Sequence, residues 1–524
     1  MPFVLRATLI AVLMLLATAG TALARPNVVL VMTDDQTQES IRVMNRTKAL
    51  IGRPGTTFTN SVATFPLCCP SRATYLSGQY AHNHRVVNNV PPFGGFTRFD
   101  QRNALGAWMQ GAGYRTMHVG RTLNGYGTDT PDITTVPPGW NDWLVPLEPT
   151  VYNYERWRMN ENGQILELPG PVRPTEFQTD YLARRASELI ERTAPTRQPF
   201  FLSLTFPAPH VGTTSTVAPR HRGVFASLPL PLTPAFDEAD VRDKPRVIRR
   251  RSRMGLAQAG LVQGAYRQQL ESLLSVDEAV AQVMRSLQRT GAMANTLVIF
   301  TSDNGLLYGE HRVRSAKVFP YEESIRVPLM MRGPGVPAGL RYGKQAGNID
   351  LAPTILDAAD ALPGRLQDGV SLLDLAARPQ ERSGRELVIE NGRGLKTQSQ
   401  YRGLRNDRYV YIRHDRTGER ELYDLRRDRH QLKNLAKDER FRRVRILMDR
   451  RVRTLARCRG ARACGASRPK ITIGADCSDD ARRPYIVRGR ERHRVRRVST
   501  DPAGLRVTMV DGRVATFPDV ACAE

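Results

Sequence analysis

The chain has 524 residues, enough to bury a large core and to form two or three domains. Its formal net charge is +26 at pH 7, with 77 Lys and Arg against 51 Asp and Glu. Beyond the N-terminus no apolar run approaches transmembrane length and no nucleic-acid-binding module is visible, so neither a membrane-spanning chain nor a nucleic-acid partner is expected.

Arg6, the apolar run from Ala7 to Ala17 and the small-residue site Ala22-Leu23-Ala24 predict a secretory signal peptide over 1–24. The mature chain then starts near Arg25 in a secreted, periplasmic or cell-surface setting. No Cys follows the cleavage site to carry a lipid, so no stable membrane anchor is expected. Val28-Val29-Leu30-Val31-Met32 is a continuous apolar run ending in Thr33-Asp34-Asp35, which reads as a buried strand of a parallel sheet. Pro70 opens a helix well, because its missing N–H is unpaired there anyway, and Ala73, Tyr75 and Leu76 continue to a stop at Gly78. Cys68 then falls at a helix N-terminus, where the dipole favours an anion. Cys68 and Cys69 are also compatible with two small buried side chains before a helix.

A helix follows from about Thr179 to Arg192, then a second buried strand, Phe200 to Phe206, ending in Pro207-Ala208-Pro209-His210. Arg246 to Arg253 has no interleaved aromatics and reads as a solvated loop or helix face. A longer helix, about Ala265 to Arg289, carries Leu270, Leu273, Leu274, Val280 and Val283 at helical spacing, a core stripe. Leu297 to Phe300 is a third buried strand, ending in Thr301-Ser302-Asp303-Asn304. The alternation predicts an α/β domain over 25–375, with a large, mixed, mainly parallel sheet sandwiched by helices. After about Leu375 come short strands, Glu386 to Glu390 and Tyr409 to His414, a Tyr423-Asp424-Leu425 turn and a basic helix, a smaller α+β domain over 376–455. The composition then shifts to Arg, Gly and Cys in a tail over 456–524. There Val507–Val510 and Val514–Phe517 flank Asp511-Gly512, a hairpin signal. Cys458, Cys464, Cys477 and Cys522 suggest two disulfides with three possible pairings, in keeping with export.

In an open α/β sheet, sites form outside the carboxyl ends of the strands. There Asp34, Asp35 and Asp303, with the amide oxygen of Asn304, make a hard oxygen set suited to Ca²⁺ or Mg²⁺ rather than zinc. An Asp pair after one strand is more often a turn or helix cap. Two such strand ends together with Cys68 point to a metal site.

Over about 26 to 436 the chain resembles the type I, formylglycine-dependent sulfatases of the alkaline-phosphatase-like superfamily. Cys68-Cys69-Pro70-Ser71-Arg72, followed by Ala73-Thr74-Tyr75-Leu76-Ser77-Gly78, is similar to their signature for converting Cys to formylglycine. Cys69 does not fit it, because Ser71 rather than Pro lies two places on. The resemblance extends to Arg25–Leu30 with Thr33-Asp34-Asp35-Gln36, to Pro207–His210, and to Ser302-Asp303-Asn304-Gly305 with Gly309-Glu310-His311 and Lys317. It continues through Tyr321–Pro328, Ile349–Thr354 and Glu421–Leu425. Asn124-Gly125-Tyr126 and Val136–Trp140 look most like the branch with N-acetylglucosamine-6-sulfatases and extracellular heparan endosulfatases.

This resemblance implies a sulfuric ester hydrolase. Asp34, Asp35, Asp303 and Asn304 would bind one Ca²⁺ together with residue 68, modified to 3-oxoalanine (formylglycine). Arg72 would hold the aldehyde hydrate. One hydroxyl of the hydrate would attack sulfur, giving a sulfate ester on residue 68, and the second would expel sulfate, an exit that Ser lacks. His210 and Lys317 would bind sulfate oxygens and protonate the leaving alcohol, with His311 in support nearby. The implied partners are a sulfated small-molecule or glycan substrate and a formylglycine-generating enzyme during maturation.

The family's second signature reads Gly-Tyr-x-Thr-x-x-x-Gly-Lys. Here Gly113-Tyr114-Arg115-Thr116 leads to Gly120-Arg121, so Arg121 stands where a sulfate-binding Lys is expected, an exchange that keeps charge but changes shape. Thr122 stands where an aromatic is common, and His210 is followed by Val211-Gly212 and a Thr/Ser-rich stretch, so an unusual pocket rim is expected. His82, His84 and His118 are expected as structural residues. Two other readings are a phosphonate monoester or phosphodiester hydrolase on the same scaffold, and an inactive, cationic sulfated-glycan-binding protein. The net charge fits a polyanionic partner, but the preponderance of Arg over Lys also reads as coding bias, and charge bears on association rather than fold.

Overall fold

The computed structural model describes residues 25–465, apart from 174, 382–383, 393 and 395–399, and the backbone of five strands beyond them. The expected leader lies outside the described residues. Ten strands form one mixed sheet. They are β1 (Asn27–Thr33), β2 (Thr56–Phe58), β3 (Arg115–Gly120), β4 (Asp142–Pro146), β5 (Trp157–Glu161), β6 (Gln164–Leu168), β7 (Phe200–Thr205), β8 (Thr296–Ser302), β9 (Leu329–Arg332) and β10 (Leu340–Tyr342). The spatial order is β10-β2-β9-β8-β1-β7-β3-β4-β5-β6. The centre, β8-β1-β7-β3-β4, is parallel, while β9 and β5 run antiparallel to their inner neighbours. Strands β7 and β8 are buried along their whole length, which is why their sequences are unbroken apolar runs.

Both faces are covered by helices: α1 (Cys68–Ser77), α2 (Leu105–Gly111), α3 (Gln178–Thr193), α4 (Leu256–Arg289) and α5 (Leu351–Ala359). Val28, Leu30, Phe201, Leu297 and Ile299 pack with α1, α2 and α5. Val29, Val31, Leu202, Val298 and Phe300 pack with α3 and α4. The expected start of α4 near Ala265 is corrected to Leu256. Leu256 and Leu261 are 94% and 76% exposed, so the first turns show no core-facing stripe to mark them. Helix α1 begins at Cys68 rather than at Pro70: Ser71 N donates to Leu67 O at 2.9 Å, and Pro70 sits in the first turn, where an N–H has no helical acceptor. Gly78 ends α1 at φ 67°, a left-handed conformation that glycine tolerates best.

A second, antiparallel sheet follows, from β11 (Leu387–Glu390), β12 (Tyr401–Arg405), β13 (Tyr409–His414) and β14 (Arg420–Asp424), neighbours in that order. Helix α6 (Arg442–Leu455) covers it through Met448, Val452 and Leu455. This sheet shares a core with Val62, Ile325 and Ile349 of the first unit, and the buried ion pairs Arg385–Asp350 and Arg405–Glu322 cross the seam. Farther on, β15 (Ile471–Gly474), β16 (Tyr485–Arg488), β17 (Glu491–Asp501), β18 (Gly504–Met509) and β19 (Val514–Phe517) form an antiparallel sheet. Strands β18 and β19 pair as the hairpin pattern anticipates, although the turn, 510–513, lies outside the described residues. Cys458 and Cys464 form a disulfide, while Cys477 and Cys522 lie outside the described residues. In the Arg-rich stretch Arg246–Arg249 is a short helix with Ile248 buried and its arginines exposed. No helix among the described residues is long and apolar enough to cross a membrane.

Candidate active site

Strands β1 and β8 run parallel with Thr33 opposite Ser302, so Asp34-Asp35 and Asp303-Asn304 leave the sheet side by side. Asp34 and Asp303 are fully buried and Asp35 nearly so. One oxygen from each of the three carboxylates lies within 4.8 Å of the others. Backbone and side-chain bonds fix this turn: Asp35 N donates to Asp303 Oδ1 at 3.2 Å, Gln36 N to Ser302 Oγ at 3.0 Å, and Gln269 Nε2 to Asp35 O at 2.7 Å.

Cations interleave with these carboxylates. Helix α1 presents Cys68 and Arg72, four residues apart and therefore on one face. Arg72 donates from Nε to Asp303 Oδ2 at 2.9 Å, from Nη2 to Asp34 Oδ2 at 3.3 Å, and from Nη1 to Arg121 O at 2.8 Å. Arg121 follows Gly120, which stands at φ 103° so close to β7 that a Cβ would lie 1.9 Å from Thr205 O, and only glycine fits there. The Arg121 Nη1 pairs with Asp34. Lys317 Nζ pairs with Asp35 and lies 2.8 Å from Cys68 Sγ, which is itself 3.3 Å from Asp34 Oδ1. His210, after β7, reaches Asp35 Oδ2 with Nε2 at 3.5 Å. Its Nδ1 lies 2.7 Å from Val211 O, an acceptor only, so Nδ1 carries a proton and Nε2 faces the cluster.

The structure therefore gathers Asp34, Asp35, Cys68, Arg72, Arg121, His210, Asp303, Asn304 and Lys317. His311 is not joined to them by a contact among the described residues. It is fully buried, its Nδ1 is 2.7 Å from Glu238, and its ring stacks on Tyr321 at 4.0 Å. His82 pairs with Glu390. His84 bonds Thr74, and His118 stacks on Trp143; burial drops both to about 3, as suits structural residues.

Burial, then the neighbouring Asp34, pushes the Asp303 carboxyl up to about 6 against the pull of Arg72. Burial also acts to raise Asp34, but Arg121, His210, Arg72 and Lys317 outweigh it and hold that carboxyl well below the usual range. For Lys317 burial acts to lower, yet Asp35 and Asp34 keep the ammonium charged. Burial and Asp34 push the Cys68 thiol far up, past the opposing Lys317 and Arg121, so it stays protonated. The donor chemistry fits a divalent cation: three buried carboxylates converge, and Asn304 Oδ1 has no hydrogen-bond partner among the described residues while its Nδ2 lies 2.6 Å from Asp35 Oδ1. A half-turn of the amide brings the oxygen to the carboxylates and gives up the bond from Nδ2 to Gly305 O, 2.9 Å long.

One member was not anticipated. Tyr152 lies in the turn Thr150–Tyr152 shortly after β4. Its hydroxyl donates to Asp34 Oδ2 at 3.3 Å, its ring stacks on His210 at 4.0 Å, and the Arg121 guanidinium lies over it at 4.9 Å. A lone Tyr in an irregular stretch carries no periodicity; the only available signal was its place beyond a strand end.

The model of the Sulfatase family matches residues 26–361, and that of the N-sulphoglucosamine sulphohydrolase C-terminal region matches 309–457. Human N-acetylglucosamine-6-sulfatase is 34% identical over 367 residues, 68% of this chain and 65% of that protein. The extracellular sulfatase SULF-1 homologue of Drosophila melanogaster is 33% identical over 359 residues, 67% of this chain and 31% of that protein. The match thus spans less than two thirds of either relative. A solved protein in complex with its substrate, D-glucosamine-2-N,6-O-disulfate, shares the fold with a TM-score of 0.70 at 22% identity, covering 82% of this chain and 97% of the other. With the family pattern laid along more than half of its length, from the first strand through the helix that closes the sheet, the chain belongs to the sulfatase family.

Proposed function

We propose that the protein is an exported sulfatase that hydrolyses a sulfate ester on an amino sugar or sulfated glycan, with residue 68 as a formylglycine nucleophile. The observation that carries this is the placement of Cys68. It sits in the first turn of a buried helix, between Asp34 and Lys317, with its thiol held protonated. A protonated thiol is a poor nucleophile, which favours a modified residue at this position. The names of the relatives and the disulfated glucosamine bound by the structural neighbour support the substrate class.

Asp34, Asp35, Asp303 and Asn304 would hold one Ca²⁺ beside residue 68. Bound there, the ion supplies Lewis acidity that makes an oxygen nucleophile available near neutral pH. Arg72, tied to Asp34 and Asp303, orients residue 68 and spreads positive charge beneath it. Lys317 and Arg121 bind sulfate oxygens and offset the charge that grows on them. His210, with Nδ1 committed to Val211 O, presents Nε2 to the departing alcohol and would protonate it as the imidazolium, returning to the neutral ring. His311, remote from these contacts, supports the pocket through Glu238. A formylglycine-generating enzyme matures residue 68, the signal peptide directs export, and 25–375 is the catalytic domain, followed by 376–455 and the tail.

Mass spectrometry of the peptide spanning Phe65 to Arg72, from protein made in its native host, tests this. Replacing CH₂–SH by CHO lowers the mass by about 18 Da. An unmodified peptide together with sulfated-glycan binding and no turnover would replace the proposal with the inactive, glycan-binding reading. A phosphonate ester cleaved faster than the matching sulfate ester would replace it with the phosphonate hydrolase reading.

A further inference from the structure

Arg121 is buried, yet only part of its guanidinium is used. Nη1 pairs with Asp34, while Nε and Nη2 have no hydrogen-bond partner among the described residues. Those two groups form one planar edge of the side chain. Buried donors are costly unless acceptors meet them, and two parallel N–H groups match two oxygens of a tetrahedral anion. Tyr152 lies flat between this guanidinium, at 4.9 Å, and the His210 ring, at 4.0 Å and 18° from parallel. Its own position is fixed from both sides. Its hydroxyl donates to Asp34 Oδ2, and its carbonyl accepts from Thr213 N at 3.1 Å. Gly212 approaches so closely that a Cβ there would lie 2.3 Å from Tyr152 O. Tyr154 OH then donates to His210 O at 2.7 Å, holding the other end of the same loop. The departures from the family pattern at Arg121 and at Val211-Gly212 thus meet on one residue, the first at its ring and the second at its carbonyl.

We propose that Tyr152 is a positioning residue that holds Arg121 flat, so that Nε and Nη2 together grip two oxygens of the substrate's sulfate group. This rests on the sulfatase reading and adds to it the reason for arginine at position 121. A planar guanidinium stacks on an aromatic face and donates from an edge, whereas an ammonium is a point charge that does neither in a fixed direction. Tyr152 and Arg121 are a matched pair, and the loop Val211–Thr214 is the clamp that sets the ring.

Binding of inorganic sulfate to the full chain, measured by calorimetry, tests this with Tyr152→Phe, Tyr152→Leu, Arg121→Lys and the double variant Arg121→Lys/Tyr152→Leu. Loss of a desolvated cation–π stack predicts that Tyr152→Leu weakens sulfate about tenfold, and Tyr152→Phe, which keeps the ring, less than about threefold. Arg121→Lys should also cost about tenfold, and the double variant no more than about twofold beyond it, because the stack is already gone. Equal damage from Phe and Leu, multiplying losses in the double variant, or no sulfate binding by the unaltered chain would overturn the proposal. If Tyr152→Leu does not fold, Tyr152→Met takes its place in the cycle with the same expectations. Turnover of an aryl sulfate by the unaltered chain reports separately on the sulfatase reading. A silent enzyme with an intact coupling sinks only that reading, and an active enzyme with additive losses sinks only this one.

Discussion

Arginine is buried against carboxylates in two parts of the molecule, and the two are completed differently. At the seam between the sheets, Arg385 meets Asp350 through bonds of 2.7 and 2.5 Å, and Asp350 also accepts from the N–H groups of Gly347 and Val370. Arg405 and Glu322 repeat the fork with two bonds of 2.7 Å. At the strand ends, three carboxylates crowd together, and among the described residues Asn304 Oδ1 lacks a partner and Arg121 keeps two donors unused. Burial and ion pairing are common to both places. What separates them is leftover hydrogen-bonding capacity: the carboxylates of the seam are saturated by protein groups, whereas the strand ends keep open capacity that the proposed cation and sulfate group would take up.

The sharpest way to break this contrast is to strike each side and read both activity and stability. Cys68→Ala should lower kcat at least about 10⁴-fold, as loss of a nucleophile does, while the urea midpoint hardly moves. Residual turnover within about tenfold of the parent would move the chemistry away from the strand ends. Arg385→Ala should do the reverse. It strands Asp350 as a buried charge and costs about 3–5 kcal/mol of stability, read by urea unfolding, with kcat of the folded fraction unchanged.

Arg121→Lys sits between these extremes. Both side chains supply a cation, so the variant should stay active, with kcat/KM down by less than about a hundredfold, or roughly 2.7 kcal/mol. A larger fall would make the guanidinium fork indispensable.

Proton linkage separates the regions further. The Asp303 carboxyl rises from its ordinary 3.8 to about 6 in the metal-free fold, chiefly through burial. Protonation therefore favours the folded state, and that stability is full below 3.8 and lost as pH rises to about 6. A divalent cation competes with the same proton, so calorimetry should find Ca²⁺ affinity falling about tenfold per pH unit below about 6. The smallest effect lies at the seam, where Glu390 raises the His82 ring above its ordinary 6.5 despite the opposing effect of burial. That stability is full below 6.5 and lost as pH rises through the raised value. Thermal unfolding should show His82→Gln flattening this slope, by about 1 kcal/mol or less, with kcat unaffected.

Much of this was legible in the chain because it is local. An apolar run broken by Asp-Asp, Asp-Asn or Pro-His declares a buried strand and the polar end that leaves it, and a Cys before Pro declares a helix start. Those patterns put Asp34, Asp35, His210 and Asp303 at strand ends on one sheet edge, and Cys68 at a helix start that only the family resemblance joins to them. Boundaries set by exposure were less visible: α4 runs back to Leu256 through turns that bury little, so no periodicity marks them.

What the sequence could not contain is any relation that depends on distance between remote residues. Tyr152 meets Asp34 across 118 positions and stacks on His210, which follows a different strand, and neither neighbourhood signals the other. His311 lies in the same stretch as Lys317, yet the fold turns its ring to Glu238 while Lys317 reaches Asp35. The exchange at Arg121 is visible as a letter, but its unpaired edge and its aromatic support exist only once β3, β4 and β7 lie in register. The sequence by itself determined the three central strands β1, β7 and β8, their polar ends and the family. Tertiary packing decided which polar groups are satisfied and which are left open, because hydrogen-bond saturation is a property of the assembled neighbourhood and not of any one residue.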